Sequence, residues 1–287
     1  MTEHSPIILI GAARSGTKFI RDLLAHDAKI AKVPYDINYI WRTGQLSLDH
    51  DALDPASLTP RRIKAIRTAI EQLAKRQGKS NPVILEKTVS NCLRIPFVDT
   101  VYPQARFVHL VRDGRAVIES SHRLWLAPPD GRGLFRKAVE MPPKQWGYLF
   151  WFAKNYLKGR LKGRSGGEIW GPRYPGIVED VQGKPLMKVV IRQWAECVSR
   201  ASADLSRLNP SRVLTIRYED LMFSQSALTK LCDFAEVENP AVILEEFTRV
   251  AEPENVEKWR SKLSSDLQRE VTETVGPILR QFGYSED

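Results

Sequence analysis

The chain has 287 residues, 43% hydrophobic and 27% charged, a balance that excludes a disordered, collagenous or disulfide-stapled protein. Its formal net charge of +9 calls for an anionic partner, and composition alone admits nucleic acid, an anionic cofactor or an acidic acceptor.

The start of the chain, Met1 to Ile10, holds only four consecutive apolar residues and carries Glu3 without a basic cluster, so it does not read as a signal peptide. Those four, Ile7-Ile8-Leu9-Ile10 followed by Gly11, predict a buried parallel strand entering a turn. Phe19, Ile20, Leu23 and Leu24 then recur at helical spacing, predicting a helix from about Thr17 to His26. A second helix is expected over Asp54 to Gln77, opened by Asp54-Pro55 or Thr59-Pro60 and closed by Gly78. Val83-Ile84-Leu85 reads as a strand, Cys92 to Val101 as a helix ending before Tyr102-Pro103, and Phe107 to Val111 as a third strand. Gly114 opens a helix running to about Trp125.

From Ala127 to Lys188 the pattern breaks down into Pro, Gly, aromatic and basic residues, expected to be an irregular insertion on the rim of one domain spanning 1–287. Beyond it come a helix from Val190 to Leu208, a strand at Val213 to Ile216, a helix from Ser226 to Phe234 and an amphipathic helix from Ser264 to Phe282. Short apolar strands alternating with helices specify an α/β fold, a P-loop-like parallel sheet covered by helices on both faces. No run approaches the roughly 18 apolar residues of a membrane span. Cys92, Cys197 and Cys232 are odd in number and lack metal-ligand spacing, so they read as reduced thiols of a cytoplasmic protein.

Ligands of parallel sheets bind outside the carboxyl ends of the strands. The first such end carries Gly11-Ala12-Ala13-Arg14-Ser15-Gly16-Thr17-Lys18, small residues leading into a helix N-terminus, which is how an anion cradle is built. It departs from the Walker A loop, which places Lys and then Ser or Thr directly after its last glycine and uses the hydroxyl on magnesium. Here Thr17 precedes Lys18, and the first cation comes earlier, at Arg14. An ordinary strand–turn–helix corner is the bland alternative. At the third strand end, Val111-Arg112-Asp113-Gly114-Arg115 places a guanidinium before a new helix, with Ser120 eight residues on, and the two can converge on a second phosphate.

Arg14-Ser15-Gly16-Thr17 after a buried strand resembles the 5′-phosphosulfate loop of the sulfotransferase family. Arg112 with Ser120 resembles that family's 3′-phosphate site, in the form seen in tyrosylprotein and bacterial carbohydrate sulfotransferases. The resemblance implies 3′-phosphoadenosine-5′-phosphosulfate as donor, 3′,5′-adenosine bisphosphate as product, and no metal. It places Arg14 beside the phosphosulfate, Ser15, Gly16 and Thr17 on the phosphate, and Phe19 near the adenine. Lys18 stands where the family usually has a second Thr. Lys87, in Glu86-Lys87-Thr88, matches a lysine near the transferring group. Tyr218, in Arg217-Tyr218-Glu219-Asp220-Leu221, matches a residue bordering the nucleotide, and Lys258 before Trp259 falls in a segment that closes over the 3′-phosphate.

In-line sulfuryl transfer needs a base, cations around the leaving oxygen, and rigid positioning. Arg14 and Lys87, with Lys18 beside them, supply the cations. Asp36 is the only carboxylate in the segment Val33 to Asn38, where the tyrosylprotein enzymes carry their base; Glu86 and His122 are the other candidates. His109, mid-strand, reads as a core histidine. Aromatics (Trp146, Tyr148, Phe150, Trp151, Phe152, Tyr156, Trp170, Tyr174) and cations (Lys154, Lys158, Arg160, Lys162, Arg164, Arg173) crowd the insertion. They suit a wall for an acidic glycan, contact with a membrane surface and a lipid-linked acceptor, or a plug over the sheet. The rival readings are a nucleotide-dependent kinase of related fold and a nucleic-acid-binding protein; the shifted lysine counts against the first, the dispersed basic residues against the second.

Overall fold

The computed structural model describes residues 5–127 and 169–285. Among them, five strands form one wholly parallel sheet: β1 Ile7–Ile10, β2 Ile30–Lys32, β3 Val83–Lys87, β4 Arg106–Val111 and β5 Val213–Arg217. The order is β2-β3-β1-β4-β5, so β1 lies in the middle with a partner on each edge. That position explains its unbroken apolar run, since alternate side chains bury on opposite faces. Ile8, Ile10, Ile84, Phe107 and Val111 point into one core, and Ile7, Leu9, Val83, Leu85, Val108 and Leu110 into the other.

The helices preceding the insertion are α1 Thr17–Leu24, α2 Asn38–Trp41, α3 Pro60–Lys75, α4 Ile95–Val101 and α5 Gly114–Leu126. Those beginning within it are α6 Ile177–Gly183 and α7 Leu186–Leu205, followed by α8 Tyr218–Phe223, α9 Gln225–Ala235, α10 Pro240–Val250, α11 Trp259–Lys262 and α12 Ser265–Gln281. Apolar faces of α3, α4, α5, α7 and α12 cover the first side of the sheet; α1, α8, α9 and α10 cover the second.

Local chemistry sets the ends of these elements. The single helix expected over 54–77 is divided: Asp54 caps a short 3-10 turn at Pro55–Ser57, and the Thr59 hydroxyl then accepts from Arg62 N to start α3 at Pro60. The helix expected from Val190 begins at Leu186, directly after Pro185, and ends at Leu205. In the described part of the insertion, residues 169–176 carry no regular element, while 177–188 hold α6 and the first residues of α7. Tyr174 there is fully buried and donates to Asp180 at 2.7 Å, and the Arg173 amide donates to Asp51 at 2.9 Å. Both are packing residues. Trp146, Tyr148, Phe150, Trp151, Phe152 and Tyr156, with Lys154, Lys158, Arg160, Lys162 and Arg164, lie outside the described residues. No helix among the described residues is long and apolar enough to cross a membrane.

At the start of α5, Asp113 accepts from the Arg115 amide, and a Cβ on Gly114 would sit 2.7 Å from the Trp194 ring of α7. Glycine is therefore required by close packing. Gly114→Ala is expected to lower stability by about 1–3 kcal/mol through overpacking, read from the midpoint of denaturant unfolding; an unchanged midpoint would mean that Trp194 moves aside freely.

Candidate nucleotide and transfer site

The carboxyl ends of β3, β1 and β4 lie side by side, and each carries one part of the site. The loop after β1 turns through two left-handed residues, Arg14 at φ 74° and Gly16 at φ 95°. For arginine that conformation costs about 1–2 kcal/mol, the kind of local strain found at binding loops. Gly16 needs to be glycine twice over: its φ is positive, and a Cβ would lie 2.5 Å from the Tyr218 ring. The following helix α1 has no side-chain cap at its N-terminus, unlike α3 and α12, which use Thr59 and Ser264. Its first amides remain available to an anion. Ser15 and Thr17 are buried within the loop.

The two phosphate motifs meet. Arg14 Nε donates to Ser120 Oγ at 3.0 Å, across 106 positions of sequence. Arg112 Nη1 reaches the Arg14 carbonyl at 3.4 Å, and its Nη2 donates to the Asn255 carbonyl at 3.0 Å. The Arg112 guanidinium also lies 4.4 Å from the centre of the Tyr218 ring, while its Nε is buried without a hydrogen-bond partner. Arg14 is held below the usual arginine range, by burial first and then by the positive charges of Arg123 and Arg112. Such crowding of like charge is relieved by an anion.

Around this pair a second layer fixes the strand ends. Arg115 bonds Asp113 at 2.8 Å and covers the Trp259 ring at 4.4 Å. Glu219 accepts from the Asp113 amide at 3.0 Å and from the Tyr284 hydroxyl at 2.6 Å. The segment before Trp259 thus reaches Arg112 through the backbone of Asn255, whereas the Lys258 side chain is exposed at the start of α11. Sequence spacing carries no signal for Asn255, because only its carbonyl is used.

Lys18 points away from the loop: it is 76% exposed and paired with Asp22 at 2.8 Å along α1. Phe19 stands edge-on to Phe247, with ring centres 5.9 Å apart.

At the end of β3, Lys87 Nζ bonds both carboxylate oxygens of Asp36, at 3.0 and 3.1 Å, and the Val89 amide donates to the same carboxylate at 3.2 Å. The Asp36 side chain is 34% exposed and that of Lys87 only 9%, so the carboxylate faces outward over the lysine. Glu86 faces the other way. It has no exposed surface and is satisfied by Trp41, Thr88 and Asn91. His122 is half-buried on α5, and burial lowers its pKa against an opposing pull from Glu119. His109 is a core residue: burial pushes it down to about 4, and it packs edge-on to Phe282.

Residues 6–140 match the family model described as the sulfotransferase family. Among solved structures, the sulfotransferase domain from the curacin biosynthetic pathway aligns with a TM-score of 0.56 at 16% identity, over 99% of both chains. The sulfotransferase domain of the Synechococcus PCC 7002 olefin synthase aligns at 0.51 and 18% identity, over 99% of this chain and 97% of that one. A sulfotransferase from Alicyclobacillus acidocaldarius aligns at 0.51 and 14% identity, over 98% of this chain and 97% of that one. No curated protein matches the sequence. At such identities the structures establish the fold, and the family match covers the segment that holds the β1 loop, Asp36, Lys87, Arg112 and Ser120. Residues 6–140, just under half of the chain, therefore resemble the sulfotransferase family, and the whole chain has the fold of the solved sulfotransferases.

Proposed function

We propose that the chain transfers a sulfuryl group from 3′-phosphoadenosine-5′-phosphosulfate to a hydroxyl or amine of an acceptor. The observation that carries this reading is the joining of the two phosphate motifs through Arg14 Nε and Ser120 Oγ at 3.0 Å. The residues suit a nucleotide with phosphates at both ends: an uncapped helix N-terminus lies at the β1 loop, and a buried Arg112 Nε without a partner lies beside it.

The donor supplies the sulfuryl group and a phosphate as leaving group. Ser15, Gly16 and Thr17 hold the 5′ side through amides and hydroxyls, and Arg112 with Ser120 holds the 3′-phosphate. Arg14 offsets charge on the leaving oxygen. Lys87 serves the sulfuryl oxygens and, through its two bonds to Asp36, sets the direction of that carboxylate. Asp36 takes the acceptor proton; its exposure is the reason for preferring it to Glu86, which no acceptor can reach. Tyr218 borders the nucleotide from beside Gly16. An acidic glycan as acceptor is supported by the net charge of +9 and the basic, aromatic run over 127–188. The described cysteines, all free and buried, favour a reducing compartment.

Calorimetric titration with 3′,5′-adenosine bisphosphate in chelator, run beside ATP with magnesium, tests the donor class. Tight binding of the bisphosphate without metal is expected. A preference for magnesium-ATP would overturn the reading in favour of a kinase.

A further inference from the structure

Glu86 and Lys87 are neighbours at the end of β3 and point to opposite sides of the sheet, as strand geometry requires. Lys87 reaches Asp36. Glu86 turns inward, where its Oε1 accepts from Trp41 Nε1 at 3.2 Å and from the Thr88 hydroxyl, and its Oε2 accepts from Asn91 Nδ2 at 2.8 Å. The Thr88 hydroxyl in turn accepts from the Ile37 amide at 3.1 Å. Ile37 follows Asp36, and Val89, which follows Thr88, donates its amide to Asp36. The Asp36 segment is thus tied to the end of β3, and one of the ties, from the Ile37 amide through Thr88, leads back to a buried carboxylate.

We propose that Glu86 is a positioning residue: its carboxylate sets the Thr88 hydroxyl, which fixes the Ile37 amide and so holds Asp36 against Lys87. Its importance for rate rests on the reading of Asp36 as the base; the relay itself does not. Every partner of Glu86 offers it a hydrogen, so the network is built for the ionised carboxylate. Burial pushes Glu86 up to about 7, against the pull of Thr88 and Trp41. The charged and titratable groups facing it are Asp36 from the segment before α2, Arg94 from the turn before α4, and Tyr102 beyond α4. Protonation as pH falls through about 7 removes an acceptor from the relay, so the rate falls on the acid side.

Two readouts on the full chain test this, one of them independent of any reaction. Amide hydrogen exchange at Ile37 is expected to be about tenfold faster in Glu86→Gln, the size of one lost hydrogen bond. The Trp41 indole resonance, assigned with Trp41→Phe, is expected to shift with a midpoint near pH 7 and to stop doing so in Glu86→Gln. In sulfuryl transfer, Glu86→Gln is expected to lower kcat by about 10–100-fold, the scale of a small misplacement of a reacting group, with KM little changed and the acid limb lost. Thr88→Val cuts the relay at its next link without altering Glu86, and Thr88→Ser should restore it. Unchanged Ile37 exchange in both Glu86→Gln and Thr88→Val would overturn the proposal, as would an unchanged kcat and acid limb. If Ile37 exchange responds while the wild type transfers no sulfuryl group, the proposed function falls and the relay stands.

Discussion

Asp36→Asn is expected to lower kcat for sulfuryl transfer by about 10²–10⁴-fold, the usual weight of a general base, and to leave the affinity for 3′,5′-adenosine bisphosphate nearly intact. The amide keeps the shape of the side chain and one oxygen for Lys87 Nζ and the Val89 amide, so the segment stays in place. What it loses is the capacity to take a proton. Asp36 belongs to the β3 end of the site and the phosphate motifs to β1 and β4, so nucleotide binding serves as the control. Single-turnover rates and calorimetry on the same preparation measure the two effects. A loss smaller than about threefold, well below general-base magnitudes, would remove Asp36 as the base and leave His122, half-buried on α5 beyond Ser120, as the remaining candidate.

Arg112→Ala is expected to weaken binding of 3′,5′-adenosine bisphosphate by about 30–1,000-fold, corresponding to one or two charge-assisted hydrogen bonds of about 1.5–3 kcal/mol each. The guanidinium has three other tasks: it meets the Arg14 carbonyl, holds the Asn255 carbonyl at 3.0 Å and lies 4.4 Å from the Tyr218 ring centre. Removing it frees the ring that packs against Gly16, so the β1 loop is loosened as well. Arg112→Lys should recover little, because an ammonium cannot serve a carbonyl, a ring face and a phosphate from one planar fork. Isothermal titration of both variants in chelator is the measurement. Affinity within about threefold of wild type, under 1 kcal/mol, would exclude Arg112 from the phosphate site.

Much of the sheet was legible because its strands are short, mainly apolar runs: β1, β3, β4 and β5 fall where Ile7–Ile10, Val83–Leu85, Phe107–Val111 and Val213–Ile216 predict them. The strand β2 offered no signal, since Ile30-Ala31-Lys32 is three residues long and mixed in character. The start of α10 is marked by Asn239-Pro240, a proline at the first helical position, and could have been read from that rule. The Asp113-Gly114-Arg115 run has a local explanation in capping and in the Trp194 contact, which is why a short motif could stand for a whole corner of the site. Lys87 and Asp36 were each marked by residue type, but their pairing emerges only in the fold. The roles of Thr88, Asn255 and the Glu86 relay were not legible. They depend on backbone groups brought together over long stretches of chain, and such groups leave no trace in side-chain spacing.

The strand order has a kinetic consequence. Every pairing in the sheet is long-range: even the nearest in sequence joins Ile30 to Val83, and β1 waits for Leu85 on one edge and Arg106 on the other. Loop-closure entropy must be met before any of these contacts repays it, which places the chain among slow folders. Until β3 and β4 arrive, Ile7-Ile8-Leu9-Ile10 presents two open edges and no charge, a short window with the character of an aggregation nucleus. The run that makes the centre of the sheet secure in the finished protein is the one most in need of protection during its synthesis.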